Sequence, residues 1–465
     1  MSRAASKFEN DLSEGSVAKK LLVFAIPFII SNFVQSLYCV ADMAIVGNFS
    51  GTISMSGVNI GSQVTMLVTN LVIGLSVGGT VLIGQYLGSG QRKELKETIG
   101  TLFSTLILCA VVMSTLMILL RDPILTLIQT PAESFPEARS YLFITALGTI
   151  FIFGYNAFSA VMRGMGDSVR PLVFVSIACF TNILLDLLFV AVFDWKATGA
   201  AIATVISQAC SMLCCIVYQV KNDFIFDFRL KSFAISRERL KMLLKIGVPT
   251  AVQNIITGLS FLFMTTLVNT MGYVASAAVG AVGKLNGFAI MPAIAISSSV
   301  SAMSAQNIGA GQTKRAVRTM CIGILLAFSM SSVIFALVQL FPAQILRLFS
   351  DDGELLSAGC EYMRSFSFDY LVAPIMFSIN GLFIGAGHTT FSLINNVTSA
   401  VLMRIPVAFV FGFLLHWGLT GVGLAAPCAS FFSLIVAVIF FFSGRWKKLT
   451  ILKKTAETGE ENRAE

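Results

Sequence analysis

The sequence predicts an all-α polytopic membrane protein: twelve transmembrane helices in two parallel six-helix repeats around a central cavity. Three observations carry this reading. Of 465 residues, 56% are hydrophobic and only 12% charged, about half the charge of a soluble domain, and the mean hydropathy is +0.83. Apolar runs such as Thr101 to Leu120 are apolar on every side and reach the ~20 residues that a spanning helix needs, whereas a membrane β-barrel would show ~10-residue stretches of alternating polarity. The chain also repeats itself at an offset of 221 to 222 residues.

Cutting at clusters of Gly, Pro and charge gives spans at 21–46, 57–84, 98–120, 138–162, 171–193 and 198–219 in the first repeat. The second repeat gives 241–268, 275–304, 317–341, 358–384, 391–415 and 420–443. The repeat itself is visible as Gln85-Tyr-Leu-Gly88-Ser-Gly90-Gln91 against Gln306-Asn-Ile-Gly309-Ala-Gly311-Gln312, an offset of 221. At the same offset Ile124-Leu-Thr-Leu127 matches Ile345-Leu-Arg-Leu348, Tyr141 matches Tyr362, and Gly164-Met-Gly166 matches Gly385-Ala-Gly387. At an offset of 222, Trp195-Lys-Ala-Thr-Gly199 matches Trp417-Gly-Leu-Thr-Gly421, and Leu22, Pro27 and Asn32 match Leu244, Pro249 and Asn254. An even number of helices per repeat gives both halves one orientation, the parallel-repeat arrangement of secondary transporters.

The net charge of +8 is a topology signal. With both ends on one face, that face holds 25 Lys and Arg, and the other holds Arg121, Arg139, Lys196, Arg347 and Arg364. The positive-inside rule then makes both termini cytoplasmic and accounts for the basic charge without nucleic acid. The expected organisation is a cytoplasmic tail at 1–20, a six-helix bundle at 21–220, a basic cytoplasmic linker at 221–240, a second bundle at 241–443 and a cytoplasmic tail at 444–465. The run after the first tail is too long for a signal-peptide core. Nine cysteines lie almost wholly in apolar runs without metal spacing and read as reduced core residues, and His388 and His416 stand near helix ends.

No Gly-x-x-x-x-Gly-Lys phosphate loop is present, which argues against ATP hydrolysis. Gly74-Leu-Ser76-Val-Gly78 fits a nucleophile-elbow pattern, but it lies mid-span with no histidine nearby and reads as close helix packing. The chain is therefore not expected to be an enzyme and needs no resident cofactor. Ionisable residues inside spans carry the information, because each costs a few kcal/mol or more unless paired or solvated. They are Asp42, Asp186, Lys284, Asp369 and Arg404. Asn182 and Asp186 share one face of helix five at i, i+4, and Ala200 and Thr204 repeat that spacing on helix six. By a rise of 1.5 Å per residue, Asp186 lies about 10 Å and Thr204 about 9 Å below the outer ends of their helices, with Asp42 about four residues below the end of helix one. Two carboxyls, an amide, a hydroxyl and the Ala200 carbonyl are hard ligands suited to Na⁺, and the same crowded pair would hold a proton. Either ion makes this a coupling site; the alternative is a polar network that locks helices together. Lys284, Asp369 and Arg404 read as an internal ion-pair cluster, with substrate contact as the alternative.

The residues in combination resemble the multidrug and toxic compound extrusion (MATE) family. The resemblance rests on twelve helices in two halves, Pro27, Gln35 and Tyr38-Cys-Val-Ala-Asp42-Met-Ala-Ile-Val-Gly47 in helix one, the paired Gly-x-Gly-Gln loops, and Asn182-Ile-Leu-Leu-Asp186 in helix five. It covers residues 15–445. It implies an antiporter of the cell membrane that swaps an organic, cationic drug or toxic compound for H⁺ or Na⁺ by rocking two bundles. Carried over by position, Asp42, Asn182, Asp186, Ala200 and Thr204 match the family's cation site, with Na⁺ at Asp42, Asn182, Asp186 and Thr204. Gln35, Tyr38, Tyr141 and Asn156 match residues near it in the cavity, and Pro27 matches the helix kink. Helix seven, from Met242 to Val268, lacks the acidic residue of other branches, which favours the DinF-like branch. The expected partners are small organic substrates and membrane lipid, with the protein acting as a monomer. The rival readings are a flippase for lipid-linked precursors, which would need a strongly basic cavity, and a non-transporting receptor or scaffold, which would not need the buried Asp pair.

Overall fold

A computed structural model describes residues 10–222, 224–348, 351–448 and 451, and among these residues there are helices and turns but no strand. The first helical stretch, Val17–Gly88, is broken at Gly51, whose φ of 78° and ψ of 179° are not helical. It is therefore two spans, α1 (17–50) and α2 (52–88), and only glycine takes that φ without strain. The next four are α3 (Arg92–Leu127), α4 (Phe135–Gly164), α5 (Val169–Val192) and α6 (Lys196–Lys221). The second repeat holds α7 (Arg237–Asn269), α8 (Tyr273–Gly309) and α9 (Thr313–Leu340). It continues with α10, which is Gly353–Phe366 and Asp369–Gly385 bent by 42°, then α11 (Thr389–Leu414) and α12 (Gly418–Phe442). Twelve spans result, in the order the sequence predicts. Several begin before their apolar run, α1 at Val17 and α7 at Arg237, because backbone hydrogen bonding continues while Lys19, Lys20 and Lys241 carry their charges outward from apolar stems.

The chain divides into two compact units, but not at the linker. Asn10, Asp11 and Ile26–Ala251 form the first, and Leu12–Ala25 with the described residues from Val252 onward form the second. In place of bundles at 21–220 and 241–443, the division falls at Ala25/Ile26 and Ala251/Val252, beside the repeated prolines Pro27 and Pro249. The opening turns of α1 therefore belong to the second unit, and those of α7 to the first. The described residues just before α1 are hydrogen-bonded to the second unit. Leu12 N donates to Gln306 Oε1 at 3.0 Å, and the Arg315 guanidinium donates to the Leu12, Glu14 and Gly15 carbonyls. Arg3, Lys7, Lys453, Lys454 and Arg463, which entered the charge count, lie outside the described residues, as do the ends of the two expected tails.

Duplication is written in the backbone. Positive φ recurs at Gly51 and Gly272, Gly90 and Gly311, Gly166 and Gly387, then at Asp194 and His416, and at Lys196 and Gly418. In the paired Gly-x-Gly-Gln loops Gly90 N bonds to Leu87 O and Gln91 N to Tyr86 O, and Gly311 N bonds to Ile308 O and Gln312 N to Asn307 O. These are helix C-caps in which glycine occupies the left-handed position, so the motif is structural. The offset of these pairs changes from 221 to 222 between Gly387 and His416. A wide π-type turn at Ala400–Arg404 in α11 takes up the additional residue, since a single insertion converts one helical turn to i→i+5 bonding. The nine cysteines are free as expected, but only Cys215 is fully buried, and Cys39 and Cys321 are exposed. Gly74 and Gly78 meet the α7 backbone: a Cβ on Gly74 would lie 2.4 Å from Ala251 N, and one on Gly78 2.8 Å from the Leu243 carbonyl.

The linker expected at 221–240 is anchored within the first unit. Phe103 on α3 packs against Phe158 on α4 and against Phe226 and Phe233 of the linker, at ring separations of 4.8, 5.6 and 6.2 Å. Ser236 N donates to Thr101 Oγ1, and Arg239 bonds to Glu97 and to the Tyr86 hydroxyl. Phe226 is buried, so Phe226→Ala should cost about 3 kcal/mol. We expect a lower thermal midpoint of the detergent-purified protein and faster tryptic cleavage at Arg229 and Lys231. An unchanged midpoint with unchanged cleavage would contradict this packing.

Candidate cation site

Four helices of the first unit bring the predicted polar groups together. Helix α1 supplies Tyr38 and Asp42, α4 supplies Tyr141, α5 supplies Asn182 and Asp186, and α6 supplies Ala200 and Thr204. Their i, i+4 spacings put each pair on one face, as the sequence implies. Close approach is secured by small residues. A Cβ on Gly61 of α2 would lie 2.5 Å from the Tyr141 ring, and the Glu137 carboxylate of α4 accepts from Ala197 N at 3.3 Å, tying the start of α6 to α4. Asp186 is the last residue of the regular part of α5, which continues as a wide π-type turn from Leu187 to Val192.

The Thr204 hydroxyl is the hub. It accepts from Asn182 Nδ2 at 3.5 Å and from the Tyr38 hydroxyl at 3.5 Å, and Tyr141 is a near neighbour. Ala200 is buried beside these groups, among Val46, Val58 and Tyr141. The carboxyls of Asp42 and Asp186 face each other within hydrogen-bonding reach. Asp186 and Asn182 are completely buried, and Asp42 is 7% exposed. Asp42 Oδ1, both Asp186 oxygens and Asn182 Oδ1 are buried without a donor. Among the described residues neither carboxyl has an ion pair with Lys or Arg.

Acceptors thus crowd together with nothing to donate to them. Oxygen lone pairs facing one another are satisfied by a shared proton or by a hard cation that takes several oxygens at once. The donor set fits both H⁺ and Na⁺.

Two predicted neighbours are not hydrogen-bonded into the cluster. Gln35 is exposed, and Asn156 donates to the Ile152 carbonyl of its own helix at 2.8 Å, so neither is tied to the cluster by a hydrogen bond. Helical dihedrals continue through Pro27. Of the three ionisable residues expected to cluster in the second repeat, Lys284 is exposed, and Asp369 and Arg404 interact without a direct ion pair. Around that pair lie Ser260, Tyr362, Tyr370 and Ser430, which sequence reading missed. The repeat offset was the signal that could have found Ser260 and Tyr362, as the counterparts of Tyr38 and Tyr141.

Thr204→Val keeps the shape of residue 204 and removes the hub. The Asn182 amide and the Tyr38 hydroxyl then lose a partner, at a cost of about 1–3 kcal/mol. The thermal midpoint of the purified variant should fall accordingly; an unchanged midpoint would mean that the hydroxyl does not hold the cluster.

Comparison with known proteins agrees with this architecture. The MatE family matches residues 27–188 and again 249–410, two segments set 222 residues apart at both ends. The probable multidrug resistance protein YpnP of Bacillus subtilis is 28% identical over 445 residues, 95% of this chain and 98% of that one. The FAD transporter of Shewanella oneidensis is 25% identical over 440 residues, 90% of this chain and 93% of its own. A solved outward-facing conformation of a multidrug resistance MATE family transporter of the MOP superfamily superposes with a TM-score of 0.88 at 22% identity, over 95% of this chain and 98% of that one. The chain is a multi-pass membrane protein that belongs to the MatE family, a family of transporters and not of enzymes.

Proposed function

We propose that the protein is a cation-coupled antiporter that exports organic cations, among them drugs and toxic compounds, across the cytoplasmic membrane in exchange for H⁺ or Na⁺. The observation that carries this is the buried Asp42–Asp186 pair, in which Asp42 Oδ1 and both Asp186 oxygens have no donor. The relative named a probable multidrug resistance protein supports the choice of cargo. The site is assembled within one unit of one chain, which supports action as a monomer in contact with lipid.

The coupling follows from electrostatics. With both carboxyls charged, α1 and α5 repel at this point and the site attracts a positively charged substrate. Once a proton or Na⁺ is held between the carboxyls, repulsion falls, the helices close, and substrate affinity falls with the local negative charge. A ligand moves such an equilibrium only by its differential affinity for the two states, and the effect is reciprocal. Pro27 lies 15 residues before Asp42 on α1, about four turns. It removes one backbone hydrogen bond there, which lowers the cost of bending the helix as the site fills and empties.

Asp42→Asn and Asp186→Asn keep side-chain size and remove the charge. In proteoliposomes with separately imposed pH and Na⁺ gradients, each variant should insert and fold but lose gradient-driven ethidium export to the level of empty vesicles. Wild-type export by both variants would sink the coupling-site assignment.

Orientation is tested separately, on a background without native cysteines. A cysteine at Glu133, exposed before α4, should react with an impermeant thiol reagent from outside intact cells. One at Lys231, exposed in the linker, should react only after the membrane is opened. The charge bias of the two faces predicts this pattern, and the reverse would overturn the orientation.

A further inference from the structure

The duplication allows the cation site to be compared with its own copy. At the offset of 222, Tyr38, Asp42, Asn182, Asp186 and Thr204 correspond to Ser260, Met264, Arg404, Ala408 and Ala426. Tyr141 corresponds to Tyr362 at the offset of 221 that holds in that part of the chain. These counterparts are also gathered in the structure. Met264, Tyr362, Ala408 and Ala426 belong to one buried cluster, and Arg404 reaches Ser260, with Nη1 to Oγ at 3.4 Å. The register therefore holds, and the chemistry is inverted. Both carboxylates have become apolar side chains, the hub hydroxyl is gone, and the amide has become a guanidinium.

A carboxyl enters this copy from a different helix. Asp369 corresponds to Gly148, a position where the first unit has no room, because a Cβ there would lie 2.3 Å from Val205 Cγ2. The bend between Phe366 and Asp369 makes Asp369 the first residue of its helical segment, where the helix dipole favours a negative charge. Asp369 is buried with Ser430, Arg404 and Tyr370 as its neighbours and interacts with Arg404 without a direct ion pair. Arg404 stands over the Phe261 ring at 4.8 Å and interacts with Tyr362. The wide turn Ala400–Arg404, absent from the first repeat, ends on this arginine. Asp369, Arg404, Tyr362 and Tyr370 are the titratable groups that meet here, with Ser260 and Ser430 as the neutral partners.

We infer that Arg404 is a built-in counter-cation: it supplies, fixed to the chain, the positive charge that the first unit takes from solution, so the carboxyl of the second unit is not a second exchangeable site. Among the described residues the site of the first unit holds two buried carboxyls and no Lys or Arg, and its copy in the second unit holds Asp369 and Arg404. Of the two sites, only the first must take up an ion to become neutral. This inference rests on the coupling role assigned to Asp42 and Asp186, and it goes beyond that role by setting how many sites exchange.

The test is infrared difference spectroscopy of the full-length protein in detergent, between low and high pH and between Na⁺ and N-methylglucamine. Wild type should give carboxyl difference bands that vanish in Asp42→Asn/Asp186→Asn and are unaltered by Asp369→Asn. Arg404→Asn should gain a further carboxyl band, sensitive to pH or Na⁺ and lost in Arg404→Asn/Asp369→Asn, whereas Arg404→Lys should gain none. A wild-type band that disappears in Asp369→Asn would overturn the inference, and that result needs no arginine variant to fold. A folded Arg404→Asn protein without the new band would overturn it as well. Failure of the coupling reading looks different: bands and transport would then persist without Asp42 and Asp186.

Discussion

Every polar group within a membrane-spanning bundle has to find its partner inside the protein or bring one in, and in the first unit several buried acceptors that lack one are gathered at a single place. Asp42 Oδ1, both oxygens of Asp186 and Asn182 Oδ1 are buried acceptors with no donor. Stability alone does not favour such a cluster, because each uncompensated buried charge costs several kcal/mol. On the proposed function, a positively charged species that comes and goes accounts for it. The rest of the arrangement follows from keeping these oxygens together: Thr204 ties α6 to α1 and α5, and the small residue Gly61 lets the Tyr141 ring close one side.

Repeating a six-helix unit fixes backbone devices and leaves side chains free to diverge. The left-handed residues at helix ends recur at near-constant offset in both halves, because each is required by a turn that both halves must make. The pockets built on this shared frame have separated, one holding two acids and the other an arginine with a displaced acid. A single inserted residue, absorbed by the wide turn at Ala400–Arg404, accompanies that change. The same duplication places Pro27 and Pro249 beside the two points where the chain passes from one unit to the other, so the bundles are not contiguous stretches of sequence.

Composition and hydropathy made the twelve helices legible, and intramembrane acids made the site legible. A carboxylate in an apolar run is costly enough that Asp42 and Asp186 stand out, and helical periodicity then brings Asn182 and Thr204 with them. The break at Gly51 was legible as a loop but not as a single residue, since its sharpness depends on one φ angle. The anchoring of the linker was not legible, because a basic, loop-like segment conceals Phe226 and Phe233, whose packing against Phe103 is a tertiary fact. Gln35 was read into the site by resemblance and lies exposed. Lys284 was grouped with Asp369 and Arg404 by charge alone, and helix geometry keeps it exposed. The Ser260–Arg404 contact was hidden because the change of offset within α11 has to be located before the residues can be paired.

The central claim is that organic cation and coupling ion contend for the charge of Asp42 and Asp186. The most direct measurement is release of the ion when substrate is added to the purified protein. Ethidium added to wild type in weakly buffered detergent solution should displace protons, or bound Na⁺ if Na⁺ is the coupling ion, and should displace none from Asp42→Asn/Asp186→Asn. Equal release from wild type and from the double variant would contradict the account.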